Sequence, residues 1–211
     1  MLNKILKISL IVTTLMIVGC SKKVEIDIKT LNKEDTILAF GDSLTFGMGA
    51  KPNESYPEQL SNITGYHVVN GGLNGDTANG ALPRLQREIE ESQPKLIILA
   101  LGGNDMLKKQ DERLEENLTE LINFIKEKDI QVVLLATPQP NVFSHMIGTL
   151  KDASLYSNVS QNTQTFLIEN VYSNYLSQKK YKSDLIHLNA EGYTLVAQDI
   201  AKELKKNDFI Q

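Results

Sequence analysis

Apolar runs alternate along most of this chain with segments whose apolar residues recur every three or four positions. The runs predict β-strands at residues 36–40, 66–70, 95–101 and 131–136, and a weaker run predicts a fifth strand at 165–168. The segments with helical spacing predict α-helices at 81–91, at 111–128 and from about 190 to 205, with Asn189 as the N-cap of the last. Strands that alternate with helices indicate a parallel sheet covered on both faces. The pattern therefore predicts one α/β domain.

Polar and glycine-rich residues follow directly after three of the predicted strands. They are Ser43 after the first strand, residues 72–75 after the second and residues 102–105 after the third. In parallel α/β sheets, binding sites gather at the carboxyl ends of the strands. We therefore expect these three segments to lie together at one edge of the sheet.

Ser43 is the candidate nucleophile, because Gly41-Asp42-Ser43-Leu44 places a hydroxyl on a tight turn at the end of a buried strand. A serine hydroxyl is a poor nucleophile until a base removes its proton. The motif is not Gly-x-Ser-x-Gly, which disfavours the α/β-hydrolase elbow. Taken alone, Gly-Asp is also ordinary turn chemistry, so the partners of Ser43 decide between the two interpretations.

His187 is the candidate base. Asp184 precedes it by three residues, on a loop ahead of the last predicted helix. That spacing lets the carboxylate reach one imidazole nitrogen while the other faces Ser43, so the carboxylate would fix the tautomer and stabilise the imidazolium. Alternatively, Asp184 is simply solvated. A structural role is expected for His67, which lies in a predicted strand, and a surface position for His145, which could otherwise line a pocket.

Three groups are candidate donors to an oxyanion, the negatively charged oxygen that forms when a carbonyl is attacked. They are the side-chain amide of Asn104 and the backbone N–H groups of Gly75 and Ser43. Glycine leaves its N–H open to a substrate because it has no Cβ. The alternative is that the glycines only make turns and that Asp76 or Thr77 caps the following helix.

Other residues of these segments do not indicate further chemistry. Asp42 and Asp105 are expected to hold their turns rather than to react. No pair of histidines or cluster of carboxylates has the spacing of metal ligands, and phosphate-loop and dinucleotide fingerprints are absent from the sequence. We therefore expect neither a metal nor a cofactor.

The first residues have the pattern of a secretion signal. Lys4 and Lys7 come before an apolar stretch at 8–18, which is too short for a comfortable membrane span. Ile17-Val18-Gly19-Cys20 resembles a bacterial lipobox, in which the cysteine is lipidated and becomes the new N-terminus. The resemblance implies a signal peptide at 1–19 and a lipidated N-terminus at Cys20. Residues 21–35 are polar and charged, which indicates a tether, so we expect a lipidated N-terminus and tether at 20–35 and a folded domain at 36–211. The alternative is a plain signal peptide, or an uncleaved anchor, with a chance cysteine.

Charge and cysteine usage narrow the classes of function. The chain has a formal charge of −4, and loss of residues 1–19 with Lys4 and Lys7 would leave 192 residues and a charge of −6. A nucleic-acid-binding protein would show a basic face, so this class is disfavoured. Cys20 is the only cysteine, so the domain has no internal disulfide. We expect an exported protein held on a membrane through Cys20, facing the periplasm or the cell surface.

Four short blocks together resemble the SGNH hydrolases, also called the GDSL lipase/esterase family. The blocks are Gly41-Asp42-Ser43-Leu44, Gly75 within 74–77, Gly102-Gly103-Asn104-Asp105 and Asp184-Leu185-Ile186-His187, in the order of the family. The residues from 68 to 77, with Gly80, Arg84 and Leu85, are most similar to the bacterial periplasmic thioesterase, lysophospholipase and arylesterase branch. One departure is Leu188, which stands where many relatives have proline.

The resemblance implies a three-layer α/β/α, flavodoxin-like fold with a five-stranded parallel sheet. It also implies that Ser43, Asp184 and His187 are catalytic and that Ser43, Gly75 and Asn104 form the oxyanion hole. The expected activity is hydrolysis of acyl, aryl or lysophospholipid (thio)esters through an acyl-serine intermediate, with a small-molecule or lipid ester as substrate. The alternatives are a carbohydrate or cell-wall O-acetylesterase and a non-catalytic binding lipoprotein.

Residues 137–156 are expected to bear on substrate preference. Their apolar residues could line an acyl pocket or form a helix that packs on the core, and the periodicity slightly favours the core. The residues concerned are Val142, Phe143, Met146, Ile147 and Leu150.

Overall fold

The computed structural model of the protein describes residues 26–141 and 148–211. The predicted signal peptide, Cys20 and the first part of the predicted tether lie outside the described residues. The same holds for His145 and for four of the apolar residues between 137 and 156, namely Val142, Phe143, Met146 and Ile147.

A five-stranded parallel sheet forms the centre of the domain. Its strands are β1 (Thr36–Gly41), β2 (His67–Gly72), β3 (Leu96–Ala100), β4 (Gln131–Leu135) and β5 (Phe166–Ile168), in the spatial order β2-β1-β3-β4-β5. Every neighbouring pair is parallel. All five predicted strands are therefore confirmed, with bounds that differ by one or two residues, and so is the α/β class.

Helices cover both faces of the sheet. In chain order they are α1 (Ser43–Phe46), α2 (Tyr56–Thr64), α3 (Leu82–Ser92), α4 (Gly103–Leu107), α5 (Leu114–Glu127), α6 (Leu155–Thr163), α7 (Val171–Leu176) and α8 (Ala190–Lys206). The three predicted helices correspond to α3, α5 and α8. Asn189 caps α8 as predicted, because its side chain accepts a hydrogen bond from Gly192 N–H at 3.0 Å. Within the described ranges, no helix is long and apolar enough to cross a membrane.

The apolar pattern does not predict α1, α2, α4, α6 or α7. Three of these helices have six residues or fewer, which is too short for a helical period to be recognised. The nine-residue helices α2 and α6 bury few large apolar side chains, Tyr56 and Leu60 in α2 and Tyr156 and Val159 in α6. Two such positions leave only a weak periodic signal.

Alternation along the strands divides the core into two layers. Ile37 and Ala39 of β1 point to the side covered by α2, α7 and α8, whereas Leu38 and Phe40 point to the side covered by α3, α5 and α6. All four side chains are fully buried. Complete burial of such an aliphatic or aromatic side chain contributes roughly 1.5–3 kcal/mol, so the two layers fix the position of the strand end that leads into the site.

Residues 26–35 run along the edge of the sheet at which the strands begin. The backbone of Lys29 forms two hydrogen bonds with the side chain of Gln131, at 2.6 and 2.8 Å, where β4 starts. Leu31 is buried, and its N–H donates to Phe209 O at 2.9 Å. This part of the predicted tether packs on the domain, at the edge opposite to the carboxyl ends of the strands.

Candidate active site

The turn after β1 places Ser43 at the carboxyl edge of the sheet. Asp42 is the N-cap of α1, because its Oδ1 accepts a hydrogen bond from Leu44 N–H at 2.9 Å. Gly41 lies so close to β3 that a Cβ at this position would be 2.6 Å from Ala100 O. Only glycine therefore fits where the strand enters the turn, and Ser43 becomes the first residue of a short helix.

An unbroken chain of polar contacts joins Asp184, His187 and Ser43. Asp184 Oδ2 lies 2.7 Å from His187 Nδ1, and His187 Nε2 lies 3.1 Å from Ser43 Oγ. The two ring nitrogens thus contact different partners. Such an arrangement lets one nitrogen take the hydroxyl proton while the carboxylate holds the N–H of the other.

The second oxygen of Asp184 fixes the carboxylate in the loop. Asp184 Oδ1 accepts hydrogen bonds from the backbone N–H groups of Ile186 and His187, both at 2.8 Å. Partial burial raises the pKa of Asp184, but the hydrogen bonds from the imidazole and from these two N–H groups outweigh it, so the pKa lies below its usual range. Asp184 is therefore ionised at neutral pH, which is the state that stabilises an imidazolium.

Hydrogen bonds and burial restrain the loop that carries Asp184 and His187. Ser183 N–H donates to His187 O at 3.1 Å, and Asn189 N–H donates to Tyr181 O at 2.9 Å. Leu188, at the position where many relatives have proline, is completely buried in the core. The side chain of Leu188 thus anchors a loop that has no proline ring to stiffen it.

The predicted oxyanion donors lie on the loops after β1, β2 and β3, and contacts of Asn104 bring these loops together. Asn104 is the second residue of α4, and its Nδ2 lies 2.9 Å from Asp76 O and 3.3 Å from Asp42 Oδ2. The first contact joins Asn104 to the loop of Gly75, and the second joins it to the turn of Ser43. The expectation that the three segments meet at one edge of the sheet is confirmed.

The N–H groups of Gly75 and Ser43 are open to a ligand. Among the described residues, nothing accepts a hydrogen bond from Gly75 N–H. Ser43 N–H lies at the first position of α1, where a helix supplies no acceptor. The Asn104 amide donates a short hydrogen bond to Asp76 O and a longer, weaker one to Asp42 Oδ2. The N–H directed at Asp42 is therefore the one that can turn to an oxyanion.

Arg84 organises the loops beneath these donors, a role that sequence reasoning misses. Its guanidinium donates to Asp76 Oδ2 at 2.5 Å, to Gly71 O at 2.7 Å and to Gly41 O at 3.2 Å. The same group lies over the Phe40 ring, 3.7 Å from the ring centroid. Arg84 thus ties the ends of β1 and β2 to the loop that follows β2. An arginine in the first turn of a helix gives no sign of these partners in the sequence.

Asp105 also joins two loops, whereas it was expected to hold its own turn. Its carboxylate accepts hydrogen bonds from the N–H groups of Ala78 and Asn79, at 3.0 and 3.4 Å. Asp105 is completely buried. The contacts connect α4 to the loop after β2, while Asp42 does hold its own turn as predicted.

Other sequence hypotheses concern residues away from the reacting groups. Helix α3 begins at Leu82 with Ala81 as its N-cap, so the alternative that Asp76 or Thr77 caps it is wrong. His67 is exposed at the start of β2, at the edge opposite to Ser43. In the part of the chain that the structure describes, no group of three or more His, Cys, Asp or Glu residues could hold a metal ion.

Burial makes Asp42 unusually basic for a carboxyl group. Asp42 is only 3% exposed, and this burial raises its pKa from 3.8 to about 6. The hydrogen bond from Leu44 N–H lowers the pKa, and the negative charge of Asp76 raises it, so the two smaller effects oppose each other. Asp42 is thus a buried group that loses its proton near neutral pH.

We expect Asp42→Asn to stabilise the protein at pH 8 and to leave its stability at pH 4 nearly unchanged. The native carboxyl holds its proton up to about pH 6 and the unfolded one only up to 3.8, so the free energy of unfolding falls as pH rises through this window. The shift corresponds to about 3 kcal/mol, and the variant should regain most of it at pH 8, because its neutral amide places no charge in the buried site. Denaturant unfolding at both pH values measures the effect, and an equal change at pH 4 would contradict this cause.

An apolar cleft opens beside Ser43. Its lining residues are Leu44, Gly103, Leu107, Thr137, Pro138, Pro140, Leu176 and Ile186. Of the 137–156 stretch, Thr137 and two prolines therefore line the cleft, whereas Leu150 is buried in the core. Leu150 therefore packs on the core, although it does not lie in a helix, and the other four apolar residues named for this stretch lie outside the described residues.

Comparison with known proteins identifies the family. Residues 39–195, more than half of the chain, match the GDSL-like Lipase/Acylhydrolase family. The thioesterase 1/protease 1/lysophospholipase L1 of Escherichia coli K12 is 27% identical over 178 residues, covering 81% of this chain and 84% of that protein. An arylesterase of Vibrio mimicus is 25% identical over 180 residues, covering 82% of this chain and 90% of that protein.

The fold agrees with solved structures of esterases. The psychrotrophic esterase EstA from Pseudoalteromonas sp., inhibited by monoethylphosphonate, matches with a TM-score of 0.71 at 23% identity, covering 82% of this chain and 98% of that chain. The α/β fold with a five-stranded parallel sheet between helices, expected from the motifs, is therefore confirmed. The chain belongs to the GDSL-like lipase/acylhydrolase family and is a serine hydrolase that acts on ester bonds.

Proposed function

We propose that Ser43 is the nucleophile, that His187 is its general base and acid, and that Asp184 orients His187. The observation that carries this proposal is the contact chain from Asp184 through His187 to Ser43, at 2.7 and 3.1 Å. The N–H groups of Ser43 and Gly75 and the amide of Asn104 form the oxyanion hole. Donors from three loops that meet beside the nucleophile suit an oxygen that becomes charged only in the transition state.

In the first half of the reaction, the acyl group moves from the substrate to Ser43. Ser43 Oγ attacks the carbonyl carbon while His187 Nε2 takes the hydroxyl proton, and the carbonyl oxygen becomes the oxyanion. The tetrahedral intermediate then collapses with cleavage of the bond to the leaving oxygen or sulfur. His187 gives its proton to the leaving alcohol or thiol, which departs and leaves an acyl-serine ester.

In the second half, water releases the acid. His187 Nε2 takes a proton from a water molecule, and the resulting hydroxide attacks the acyl carbon with the oxyanion hole occupied again. When the intermediate collapses, the bond to Ser43 Oγ breaks, and the same proton returns to that oxygen. Throughout both halves Asp184 remains ionised, in keeping with its lowered pKa.

The cleft beside Ser43 supports a substrate with an apolar acyl or aryl group. Its lining is almost entirely apolar, with Thr137 as the polar exception. The relatives in Escherichia coli and Vibrio mimicus, a thioesterase/lysophospholipase and an arylesterase by name, agree with such a substrate. We therefore favour acyl or aryl (thio)esters, lysophospholipids among them, over acetyl groups on a carbohydrate, which would call for a polar groove.

A series of p-nitrophenyl esters from acetyl to palmitoyl tests this function. The protein used starts at Ser21, and Ser43→Ala is measured beside it. We expect serine-dependent turnover that rises from acetyl toward medium or long chains. Activity confined to acetyl would instead favour the O-acetylesterase, and failure of Ser43 to react with a fluorophosphonate probe would favour a non-catalytic binding protein.

Replacement of Asn104 with alanine should lower kcat by roughly 10²–10³, as loss of one oxyanion donor does in other hydrolases. The loss should fall on kcat rather than KM, because the amide contributes only when the carbonyl oxygen becomes charged. Asn123→Ala on the exposed face of α5 is the matched control and should leave kcat unchanged. An unchanged rate for Asn104→Ala would remove this residue from the oxyanion hole.

We also propose that the protein is exported and held on a membrane by a lipid on Cys20. The basic residues Lys4 and Lys7, the apolar stretch at 8–18 and the position of the single cysteine support this localisation. Mass spectrometry of the full chain, isolated from the membrane fraction, should find Cys20 as the first residue and a lipid on its thiol. An N-terminal peptide that retains residues 1–19, or a Cys20 without lipid, would contradict the anchor.

A further inference from the structure

Large apolar side chains are exposed around the mouth of the active site and almost nowhere else in the described part of the chain. In the described residues, six such side chains are exposed by 38–53%. Five lie on the loops and short helices at the carboxyl edge of the sheet, and we call them the apolar rim: Phe46, Met48, Leu73, Leu107 and Leu185. The sixth, Ile63, lies near the end of α2, at the opposite edge.

The rim residues belong to the segments that carry the proposed catalytic groups. Phe46 and Leu107 are the last residues of α1 and α4, the two short helices that start at the site. Leu185 lies in the loop of Asp184 and His187. Folding of the active site therefore also places these side chains around it.

Rim residues lie next to one another and next to the cleft. Gly72 packs so closely on Phe46 that a Cβ on Gly72 would lie 2.6 Å from Phe46 Cα. Leu73 follows Gly72 in the chain and is therefore adjacent to Phe46. Leu107 lines the cleft together with Ile186, the neighbour of Leu185. Leu44, which also lines the cleft, belongs to the same short helix as Phe46, so rim residues adjoin the cleft at two places.

The rim is larger than the binding of one acyl group requires. Isolated apolar residues are ordinary on a protein surface, but several around one opening mark an interaction site. Of the five rim residues, Leu107 lines the cleft and the other four lie outside its lining. These four are exposed at the same edge of the sheet without forming the cleft.

We propose that the apolar rim docks the mouth of the active site onto the surface of a lipid aggregate with anionic headgroups, so that an acyl ester passes from the lipid phase into the cleft. This inference rests on the proposed function, because it concerns how the same site receives its substrate. A lipid surface suits the rim better than a protein partner does, since the cleft that the rim adjoins takes an apolar acyl or aryl group. Amphiphilic esters with such groups collect in aggregates.

Lysines beside the rim favour a lipid surface with anionic headgroups, although the chain as a whole is acidic. Lys108 and Lys109 follow Leu107 and are exposed. Lys182 lies beside Leu185, with its Nζ 3.3 Å from Leu185 O. Each basic residue close to an anionic bilayer strengthens binding about fivefold.

Carboxylates of the same loops are mostly paired. The pairs are Glu54 with Lys51, Asp76 with Arg84, and Asp184 with His187. Asp111 and Glu112 are exposed and follow the lysines toward α5, so they reduce the local positive charge. We therefore expect the apolar rim to supply most of the attraction and the lysines to add a several-fold preference for anionic lipid.

Docking through the rim does not need the N-terminal segment. Residues 26–31 pack at the edge where the strands begin, and strands of five or six residues put the two edges roughly 17–20 Å apart. Among the described residues, the first buried apolar residue in the sequence is Leu31 and the last is Ile210. A chain that starts at Ser21 therefore keeps the whole of the buried core and can be used without the lipid anchor.

The test compares a rim variant with a matched control. The rim variant carries Phe46→Gln and Leu73→Gln, and the control carries Ile63→Gln, which is equally exposed at the opposite edge. Binding is measured by sedimentation with vesicles of phosphatidylcholine, alone or mixed with phosphatidylglycerol. Turnover of a water-soluble p-nitrophenyl ester, present below its aggregation concentration, is measured beside it.

We expect the parent and Ile63→Gln to bind mixed vesicles several-fold more tightly than phosphatidylcholine alone. The rim variant should bind at least about tenfold more weakly, because two half-exposed apolar side chains no longer enter the lipid, yet it should hydrolyse the soluble ester at the parental rate. Equal vesicle binding by all three proteins would overturn the docking surface. Equal binding of the parent to both kinds of vesicle would overturn the preference for anionic headgroups. If the rim variant lost as much activity on the soluble ester as it lost in vesicle binding, Phe46 and Leu73 would be assigned to acyl binding instead. Failure of the proposed function would appear separately, as turnover that does not depend on Ser43.

Discussion

Ser43→Ala is expected to lower kcat for every ester substrate by on the order of 10⁶, since loss of a nucleophile removes the covalent route altogether. The oxyanion hole and the cleft remain in the variant, so a residual rate above that of water is expected and KM should change little. The measurement is the initial rate on a medium-chain p-nitrophenyl ester under saturating conditions.

The structure allows this loss to be separated from misfolding. The Ser43 hydroxyl contacts His187, and Asp42 rather than Ser43 caps α1, so the thermal unfolding temperature should stay close to that of the parent. Ser92→Ala at the end of α3 is a matched control, because its hydroxyl donates to Glu88 O far from the site. Undiminished turnover by pure Ser43→Ala would exclude Ser43 as the nucleophile.

Asp184→Asn is expected to lower kcat by about 10⁴, the effect of the same change in other serine hydrolases. The N–H groups of Ile186 and His187 both donate to Oδ1, at 2.8 Å, so the amide oxygen of the variant must occupy that position. Its NH₂ group then faces His187 Nδ1, which has to accept a hydrogen bond. The ring proton moves to Nε2, and this nitrogen can no longer take the proton of Ser43.

The control for this variant is Asp129→Asn, at the opposite edge of the sheet, where the carboxylate is exposed beside Lys29. We expect full activity from Asp129→Asn and an unchanged KM for Asp184→Asn. A loss of less than about tenfold in Asp184→Asn would show that the tautomer of His187 is set by another group, and the orienting role of Asp184 would have to be abandoned.

The strands and the four motif blocks could be predicted because each signal is local. Fully buried strands such as β3 appear as continuous apolar runs, and parallel topology brings their carboxyl ends to one edge. Ser43, Asn104 and Gly75 could therefore be assigned to a common site from the sequence alone. Asp184 and His187 could be paired because they share a short loop.

Contacts between distant segments could not be predicted in the same way. Arg84 reaches Gly41 O, a residue 43 positions earlier in the chain, and Asp42 meets Asn104 across 62 positions. Neither pair has a sequence pattern, because each depends on how loops after different strands pack. The raised pKa of Asp42 has the same origin, since burial depends on the complete fold.

Part of the predicted tether illustrates a different limit. Residues 26–35 are polar and charged, and composition alone indicates an extended linker. One buried residue, Leu31, and the paired hydrogen bonds between Lys29 and Gln131 hold this segment on the domain. Two or three such contacts are enough to hold a short segment on the domain. They do not produce a periodic pattern of apolar residues from which the packing could be predicted.

The central claim, an acyl-serine intermediate on Ser43, is tested most directly by mass spectrometry of the protein quenched in acid during turnover of a p-nitrophenyl ester. We expect a mass increase equal to one acyl group, located by peptide mapping on Ser43, and its absence from Ser43→Ala. His187→Ala should also fail to form it, because the hydroxyl proton then has no acceptor. Acylation at another residue, or labelling that persists in Ser43→Ala while the ester is hydrolysed, would contradict the mechanism.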